Sequence, residues 1–412
     1  MQNQTPLRVS GWTLSDHPKG AVFTLSNLNH IFSGLGTTVF TVMSELAVKH
    51  DAINLGQGFP DVDGPEAVRR HAAEVLLDGP NQYAAMTGVP ELRKAVAADN
   101  LRHYGLDIDW QSEVLVTSGA TEALTVCLLG MLNPGDEVVM IEPFYDCYLP
   151  LVERAGATAK IVSLMPPEWE LPEAQLRAAF SDKTKLVLLN SPMNPTGKVF
   201  TRPELELIAG LIEEFDAYAL CDEVYEHLIF EGHAHIPLMT LPGMRERCLR
   251  IGSAGKTFSL TGWKVGYISG SASLLSTIAK AHQYVIFCTP PALQYAIAFG
   301  LENCGAFYTT LAAELQGKRD FLKSTLEGLG LRVLPVDGTY FLTADITPFG
   351  FAGTDYDFCK FMTEKARVGA IPTSVFYHPE TPDIPDSLVR FCFCKRDEVL
   401  SEAAQRLEQH LR

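Results

Sequence analysis

The chain has 412 residues, 47% of them hydrophobic and 20% charged, with a formal charge of −16 at pH 7. That length exceeds what one compact core usually serves and predicts two domains. The composition excludes a disordered or membrane-embedded chain, and the acidic balance argues against nucleic acid, whose binders need a basic footprint to release counterions.

In chain order, the opening "MQNQTPLRVSGWTLSDHPKG" lacks the apolar core of a signal peptide and the Arg-rich character of a transit peptide, which predicts a cytosolic protein. No uninterrupted run of about 18 apolar residues occurs, so no membrane span is expected. Through the middle of the chain "EVLVTSG", "EVVMIEP", "TAKIVSL", "TKLVLLNSP", "AYALCDEV", "CLRIGS" and "VGYISG" read as strands, with amphipathic stretches between several of them. That alternation is the signature of an α/β fold with a mostly parallel sheet. After "LVTSG" the clearest helix places Ala120, Ala123, Leu124, Cys127, Leu128 and Met131 on one face and stops at Asn133-Pro134-Gly135.

The C-terminal third changes character. A long helix around "FYTTLAAELQGKRDFLKSTLEGLG" precedes the isolated strands "LRVLPV", "TYFLTAD" and "LVRFCFC" and a final helix, as in a smaller α+β domain. The expected division is a large domain over 61–299 and a small one built from 1–60 and 300–412, with the site between them. The nine cysteines lack CxxC spacing and read as reduced, mostly buried thiols, with Cys392 and Cys394 in the core. His227, His233 and His235 cluster in "EHLIFEGHAH", but without HExxH or a cysteine partner they are expected to occupy a solvated loop, not a metal site.

Functional groups in open α/β sheets gather beyond the carboxyl ends of strands, and four polar elements fall there. Ser118-Gly119-Ala120 opens the best helix, whose N-terminal amides suit a phosphate. Asn194 lies in "NSPMNPTGKVF", a loop stiffened by Pro192, Pro195 and Gly197. Asp222 and Tyr225 follow a buried strand, where a carboxylate must find a partner. Lys256 stands among small residues in "GSAGKTFSLTGWKVG", with Ser253 before it and Lys264 after it, a setting that can activate an amine nucleophile. The GKT there is no P-loop, because Arg250 occupies the position of the first glycine. One ligand would satisfy all four elements: a phosphate for Ser118-Gly119-Ala120, Ser253 and Lys264, a ring nitrogen for Asp222, a phenolic oxygen for Asn194 and Tyr225, and an aldehyde for Lys256. Pyridoxal 5′-phosphate carries each of these groups.

"NPTGKV", "DEVYEHL" and the S-x-x-K-x7-K pattern of "SAGKTFSLTGWKVGY" are jointly specific: from about Asn54 to Arg396 the sequence resembles fold type I pyridoxal-phosphate aminotransferases of class I/II. "NLGQGFPD", "EPFYDCY" and "VRFCFCK" resemble the branch of kynurenine, glutamine and methionine aminotransferases. The resemblance implies a seven-stranded, mostly parallel sheet in the large domain. It also implies that Lys256 bonds the cofactor and serves as the base, that Tyr145 stacks on the ring and that Gly58 lies by the substrate carboxylate. Arg390 would clamp that carboxylate bidentately, and Tyr83 would reach the phosphate of a neighbouring subunit in a homodimer.

The second carboxylate clamp of aspartate aminotransferases has no counterpart in "AHQYVIFCTPPALQY", which offers His282, Tyr284, Phe287 and Cys288. Neutral amino acids such as methionine, glutamine, aromatic residues or kynurenine are therefore the expected donors, with Tyr284, Phe287 and Phe40 beside them. β-Elimination from cysteine conjugates and transfer from a succinylated diamino acid remain open alternatives. A ligand-sensing regulator would need a fused DNA-binding module, for which the short polar segment before the family match leaves no room.

Overall fold

The computed structural model describes residues 28–411, so the readings of the first 27 residues lie outside the described part. Leu28–Gly36 belongs to a short N-terminal unit, whose helix His30–Gly34 is capped by Asn29. A second unit begins at Thr37. The stretch His30–Lys49, with a mean hydropathy of 1.4, is long and apolar enough by composition to cross a membrane. The reading for uninterrupted runs passed over it because Ser, Thr and Glu punctuate it. In the structure it is two helices, the second being Val39–Lys49, whose 11 residues span about 16 Å, roughly half a hydrocarbon core.

Thirteen strands are described. They are β1 (Ile53–Asn54), β2 (Val114–Thr117), β3 (Glu137–Glu142), β4 (Thr158–Ser163), β5 (Thr184–Asn190), β6 (Tyr218–Asp222), β7 (Cys248–Ser253), β8 (Gly266–Gly270), β9 (Arg332–Val333), β10 (Phe341–Asp345), β11 (Val368–Gly369), β12 (Ile371–Pro372) and β13 (Leu388–Cys392). β2 to β8 are the seven apolar runs read from the sequence, and they form one sheet in the order β2-β8-β7-β6-β5-β3-β4. All neighbours are parallel except β8, which runs antiparallel to both β2 and β7.

These strands are nearly continuous hydrophobic runs because both faces of the sheet are covered. In β5, Leu186 and Leu188 join one core while Val187 and Leu189 join the other. The helix Gly119–Met131 buries Ala123, Leu124, Cys127, Leu128 and Met131 on the first of these faces. A second sheet, in the order β12-β13-β10-β9, is antiparallel, and β1 pairs with β11. The long helix Gly305–Gly328 and the final helix Asp397–Leu411 complete the C-terminal third, the latter burying Leu400, Ala403, Leu407 and Leu411.

Below β7 a charged cluster is sealed inside the protein. Arg250 donates through Nε to Glu223 at 2.6 Å and through Nη2 to Glu226 at 2.8 Å, its third arm meets Asn100, and its guanidinium lies 4.6 Å from the Tyr104 ring centre. His235 adds a contact to Glu223 at 3.1 Å. With three arms engaged, Arg250 compensates two buried carboxylates that would otherwise be strongly unfavourable. Replacing it with methionine should therefore lower stability by about 3–5 kcal/mol, measured as a lower urea midpoint at pH 7. The Arg250 interaction holds the Glu223 carboxyl below its ordinary value, so its stabilisation is present at neutral pH and fades as acid protonates the folded state. The gap between wild type and Arg250→Met should accordingly narrow as pH falls.

Candidate active site

Three parallel strands end side by side, and the chain beyond each turns toward one cavity of about 350 Å³. Asp222 is the last residue of β6, the loop after β5 carries Asn194, and Ser253 closes β7. Because β8 runs the opposite way, its first residue lies at this same end, and Lys264, two residues earlier, reaches the cavity. Lys264 sits in the left-handed region (φ 52°, ψ 46°), a costly conformation for a residue with a side chain. It bends the chain from the short helix Thr261–Trp263 into the sheet.

On one side the cavity is an anion cup. Gly119, Ala120 and Thr121 present the first turn of a 13-residue helix. Ser253, Thr261 and Lys264 line the same cavity. Gly119 has φ 78°, and a Cβ there would meet Lys264 Nζ at 3.2 Å. Gly266 is equally constrained: a Cβ would lie 2.7 Å from the Gly119 carbonyl carbon and 2.9 Å from the Ala120 nitrogen. Only glycine lets β8 press against the helix start. Ser118 is not among the lining residues, and its N–H is taken by Glu122 at 2.7 Å.

Asp222 is fully enclosed, and burial pushes its carboxyl above the ordinary value, against the lowering effect of its hydrogen bonds. Tyr148 donates to Oδ2 at 2.5 Å, and the Val224 amide is 3.5 Å from Oδ1. A buried acid with these neutral donors is suited to a cationic group arriving from the cavity. Asn190 holds the neighbouring loop, donating to the Asp222 carbonyl at 2.8 Å and accepting from the Asn194 amide at 2.8 Å.

Lys256 lies in the one-turn helix Ala254–Thr257 and projects between the rings of Tyr225 and Tyr340, 5.4 and 5.2 Å from their centres. Burial lowers its pKa to about 8. Opposite, Arg390 on β13 is 1% exposed. It donates to Asn194 Oδ1 and to the Gly56 carbonyl, both at 2.8 Å, and lies over the Phe341 ring at 4.1 Å. Its Nε has no hydrogen-bond partner, and the carboxylate that acts on it, Asp146, does so without a hydrogen bond to it. Burial pulls this guanidinium below its ordinary pKa.

Gly58, Tyr145, Asn194, Tyr225 and Phe40 also line the cavity, joining segments separated by more than 300 residues. Tyr83 does not. It is 85% exposed and meets Phe287 edge-on at 5.4 Å. Tyr284 and Phe287 are likewise outside the lining, and His282 is buried between Glu122 and the Met86 carbonyl. The three histidines considered for metal diverge: His227 faces Asp99, His233 faces Asp337 and His235 faces Glu223. His235, Glu223 and Glu226 do converge, but the Arg250 guanidinium already bonds both glutamates. Sequence reasoning missed Tyr148, Asn190, Thr121, Gly266 and Tyr340. Of these, Tyr148 in "EPFYDCY" and Asn190 at a strand end carried some signal by position.

Comparison with known proteins gives the family. The family model "Aminotransferase class I and II" matches residues 50–407. The probable N-succinyldiaminopimelate aminotransferase of Mycobacterium tuberculosis is 43% identical over 379 residues, covering 90% of this chain and 95% of the relative. The methionine aminotransferase of Escherichia coli is 40% identical over 375 residues, covering 91% and 96%. The solved structure of the N-succinyldiaminopimelate aminotransferase from M. tuberculosis superposes with a TM-score of 0.90 at 42% identity, covering 93% of this chain and all of that one. The chain therefore belongs to the class I and II aminotransferases of fold type I, pyridoxal-phosphate enzymes that move an amino group from an amino acid to a 2-oxo acid.

Proposed function

We propose that the amino donor is a neutral L-amino acid, sulfur-containing or aromatic, and that Lys256, Asp222 and Arg390 carry the reaction. The supporting observation is the cavity's inventory of cations. Among its described lining residues these are Lys256, Lys264 and Arg390, each suited to a different task, with no fourth for a side-chain carboxylate. Phe40, Phe59 and Leu124 supply apolar wall instead. The name of the E. coli relative, a methionine aminotransferase, favours the same class. That of the M. tuberculosis relative favours a succinylated diamino acid as the second reading.

The residues fit pyridoxal phosphate. The glycine-opened helix start with Ser253 and Lys264 would hold its phosphate, Asp222 its ring nitrogen as a cation, Asn194 and Tyr225 its phenolic oxygen, and Tyr145 its ring face. When bound, the cofactor supplies an aldehyde carbon that bonds amines and a ring that accepts the electron pair left at the substrate Cα. Lys256 Nζ, with a pKa near 8, can take the Cα proton and return a proton within the same cavity close to neutral pH. Arg390 binds and orients the α-carboxylate by its two-armed fork.

In the same reading the enzyme is a cytosolic homodimer, with small-molecule substrates and neither nucleic acid nor membrane as partner. The exposed Tyr83 then completes the neighbouring subunit's phosphate cup. Nine free cysteines suit a reducing compartment. Within the unit that begins at Thr37, residues 61–299 form the cofactor-binding domain, and 37–60 with 300–411 form the smaller one.

Borohydride reduction of the holoenzyme followed by peptide mapping should place the pyridoxyl label on Lys256, and a label on Lys198 or Lys264 would sink the assignment. In single-turnover comparisons, methionine or phenylalanine should give a larger kcat/KM than aspartate. Aspartate winning would reveal an additional cationic clamp, and N-succinyldiaminopimelate exceeding every neutral donor would decide for the second reading. Arg390→Lys keeps the charge but loses the planar fork, so kcat/KM should fall about thirty- to a thousand-fold for every amino acid and 2-oxo acid alike, with the cofactor spectrum unchanged. Loss of cofactor or of folding, with normal turnover per folded site, would make Arg390 structural.

A further inference from the structure

Tyr340 does not line the cavity, yet it makes the shortest contact of the Lys256 amine. Lys256 Nζ donates to the Tyr340 hydroxyl at 2.6 Å, and that hydroxyl donates to the Gly58 carbonyl at 2.7 Å. Nζ itself is 3.5 Å from the same carbonyl. A carbonyl can only accept, and a phenol has one proton to give. With that proton committed to Gly58, the Tyr340 oxygen faces Lys256 as an acceptor.

The surroundings hold this arrangement in place. Tyr340 is 1% exposed, with its ring edge-on to Tyr225 and Phe341. Burial raises its phenol well above the ordinary value, so it stays neutral. The residue before it, Thr339, has φ 68°, an outlier for a β-branched side chain that persists only where its surroundings impose it. Thr339 is pinned there by its amide bonding the Leu228 carbonyl at 2.8 Å and by its Oγ1 accepting from the Phe341 amide at 3.1 Å. Gly58 is constrained from the other side, because a Cβ would lie 2.4 Å from Phe341 Cζ. Strain and close approach thus converge on the two groups that meet the amine.

We propose that Tyr340 is the positioning residue for Lys256, holding its amine at a fixed station beside the cavity whenever that amine is not covalently engaged. The proposal rests on the reading of Lys256 as the amine that bonds the cofactor. A station is needed because that amine is released and recaptured in each half-reaction and must stay within reach of the substrate Cα in between. The other titratable groups around Nζ are Asp222, Cys392 and Cys394, which favour its charged form, Lys264, which opposes it, and Tyr225. Tyr340, rather than any of these, is the side chain hydrogen-bonded to Nζ. An ammonium gains more from such an acceptor than a neutral amine does, so removing the oxygen lowers the pKa of Lys256 and frees the side chain to wander.

Tyr340→Phe keeps the ring and deletes the acceptor. Competitive acetylation of the full-length chain freed of cofactor, followed across pH by mass spectrometry at Lys256, should give a midpoint near 8 for wild type and about one unit lower for the variant. In the holoenzyme kcat should fall about ten- to a hundredfold, with KM nearly unchanged because Tyr340 does not touch substrate. Tyr340→Met, which fills the space without a strong acceptor, should shift the midpoint the same way if the first variant does not fold. An unchanged midpoint in a folded variant, or failure of both variants to fold, would make Tyr340 a packing residue and overturn the proposal. Borohydride mapping of wild type separates the two ideas, since a label away from Lys256 would refute its covalent role while leaving the midpoint shift readable.

Discussion

A guanidinium buried without a hydrogen-bonded anion is the constraint around which this site is arranged. Arg390 is 1% exposed, and Asp146, the carboxylate that acts on it, makes no hydrogen bond to it. Leaving such a charge unpaired in a protein interior is strongly unfavourable, and the structure reduces the cost with neutral acceptors and ring faces. Asn194 Oδ1 and the Gly56 carbonyl each take one arm, and Phe341, Phe40 and Phe376 surround the plane. Every one of these groups is neutral, so the charge is steadied but not cancelled. A carboxylate that enters the cavity finds its counter-ion already desolvated and oriented, so the protein's own fold has met part of the ordering cost of binding.

The same arrangement recurs around the other ionisable groups of the cavity. Asp222 receives a phenol and an amide, Lys256 a phenol and a carbonyl. Contrast the cluster below β7, where Arg250 and two glutamates neutralise one another directly. Two burial strategies thus coexist in one sheet. On the closed side, opposite charges pair and nothing is left to react. At the open strand ends the hydrogen-bond partners of each charge are neutral, and opposite charges act on it only from further away, which leaves it available to a ligand, and such unmatched groups are what distinguish a site from a scaffold.

Much of this was legible in the sequence, and the limits have physical causes. The seven strands of the large sheet were readable because burial on both faces makes them short continuous apolar runs. Asp222 at the end of such a strand, Asn194 and Lys256 just beyond two others, and Arg390 within an apolar strand of the smaller sheet were readable as polar residues in settings that demand a partner. The two-residue strands β1, β11 and β12 carry too little periodicity to be seen. The Ser118-Gly119-Ala120 motif pointed to the helix start but did not show that the Ser118 amide is held within the first helical turn by Glu122, a local bond that the motif alone does not announce. Tyr340 was invisible for the opposite reason: its partners Lys256 and Gly58 lie 84 and 282 positions away, and an apolar strand "TYFLTAD" accounts for a tyrosine equally well. Gly266 reads only as part of the strand "VGYISG", which does not show that its lack of a side chain leaves room for another segment's backbone.

The reversed strand β8 has a consequence for how the molecule is made. It fills the slot between β2 and β7, pairing Val114 with Ser269 and Thr117 with Gly266, so β2 leaves the ribosome about 150 residues before its one sheet neighbour among the described residues exists. At about 5–20 residues per second, that interval lasts roughly 8–30 s, during which the apolar strand β2 has no partner strand. Arg390 arrives later still. Vectorial synthesis therefore delivers Gly119–Thr121 first, Lys256 and then Lys264 next and Arg390 last, and a nascent chain stalled before Gly266 carries an open β2 edge, the kind of surface that chaperones bind and that drives aggregation when they do not.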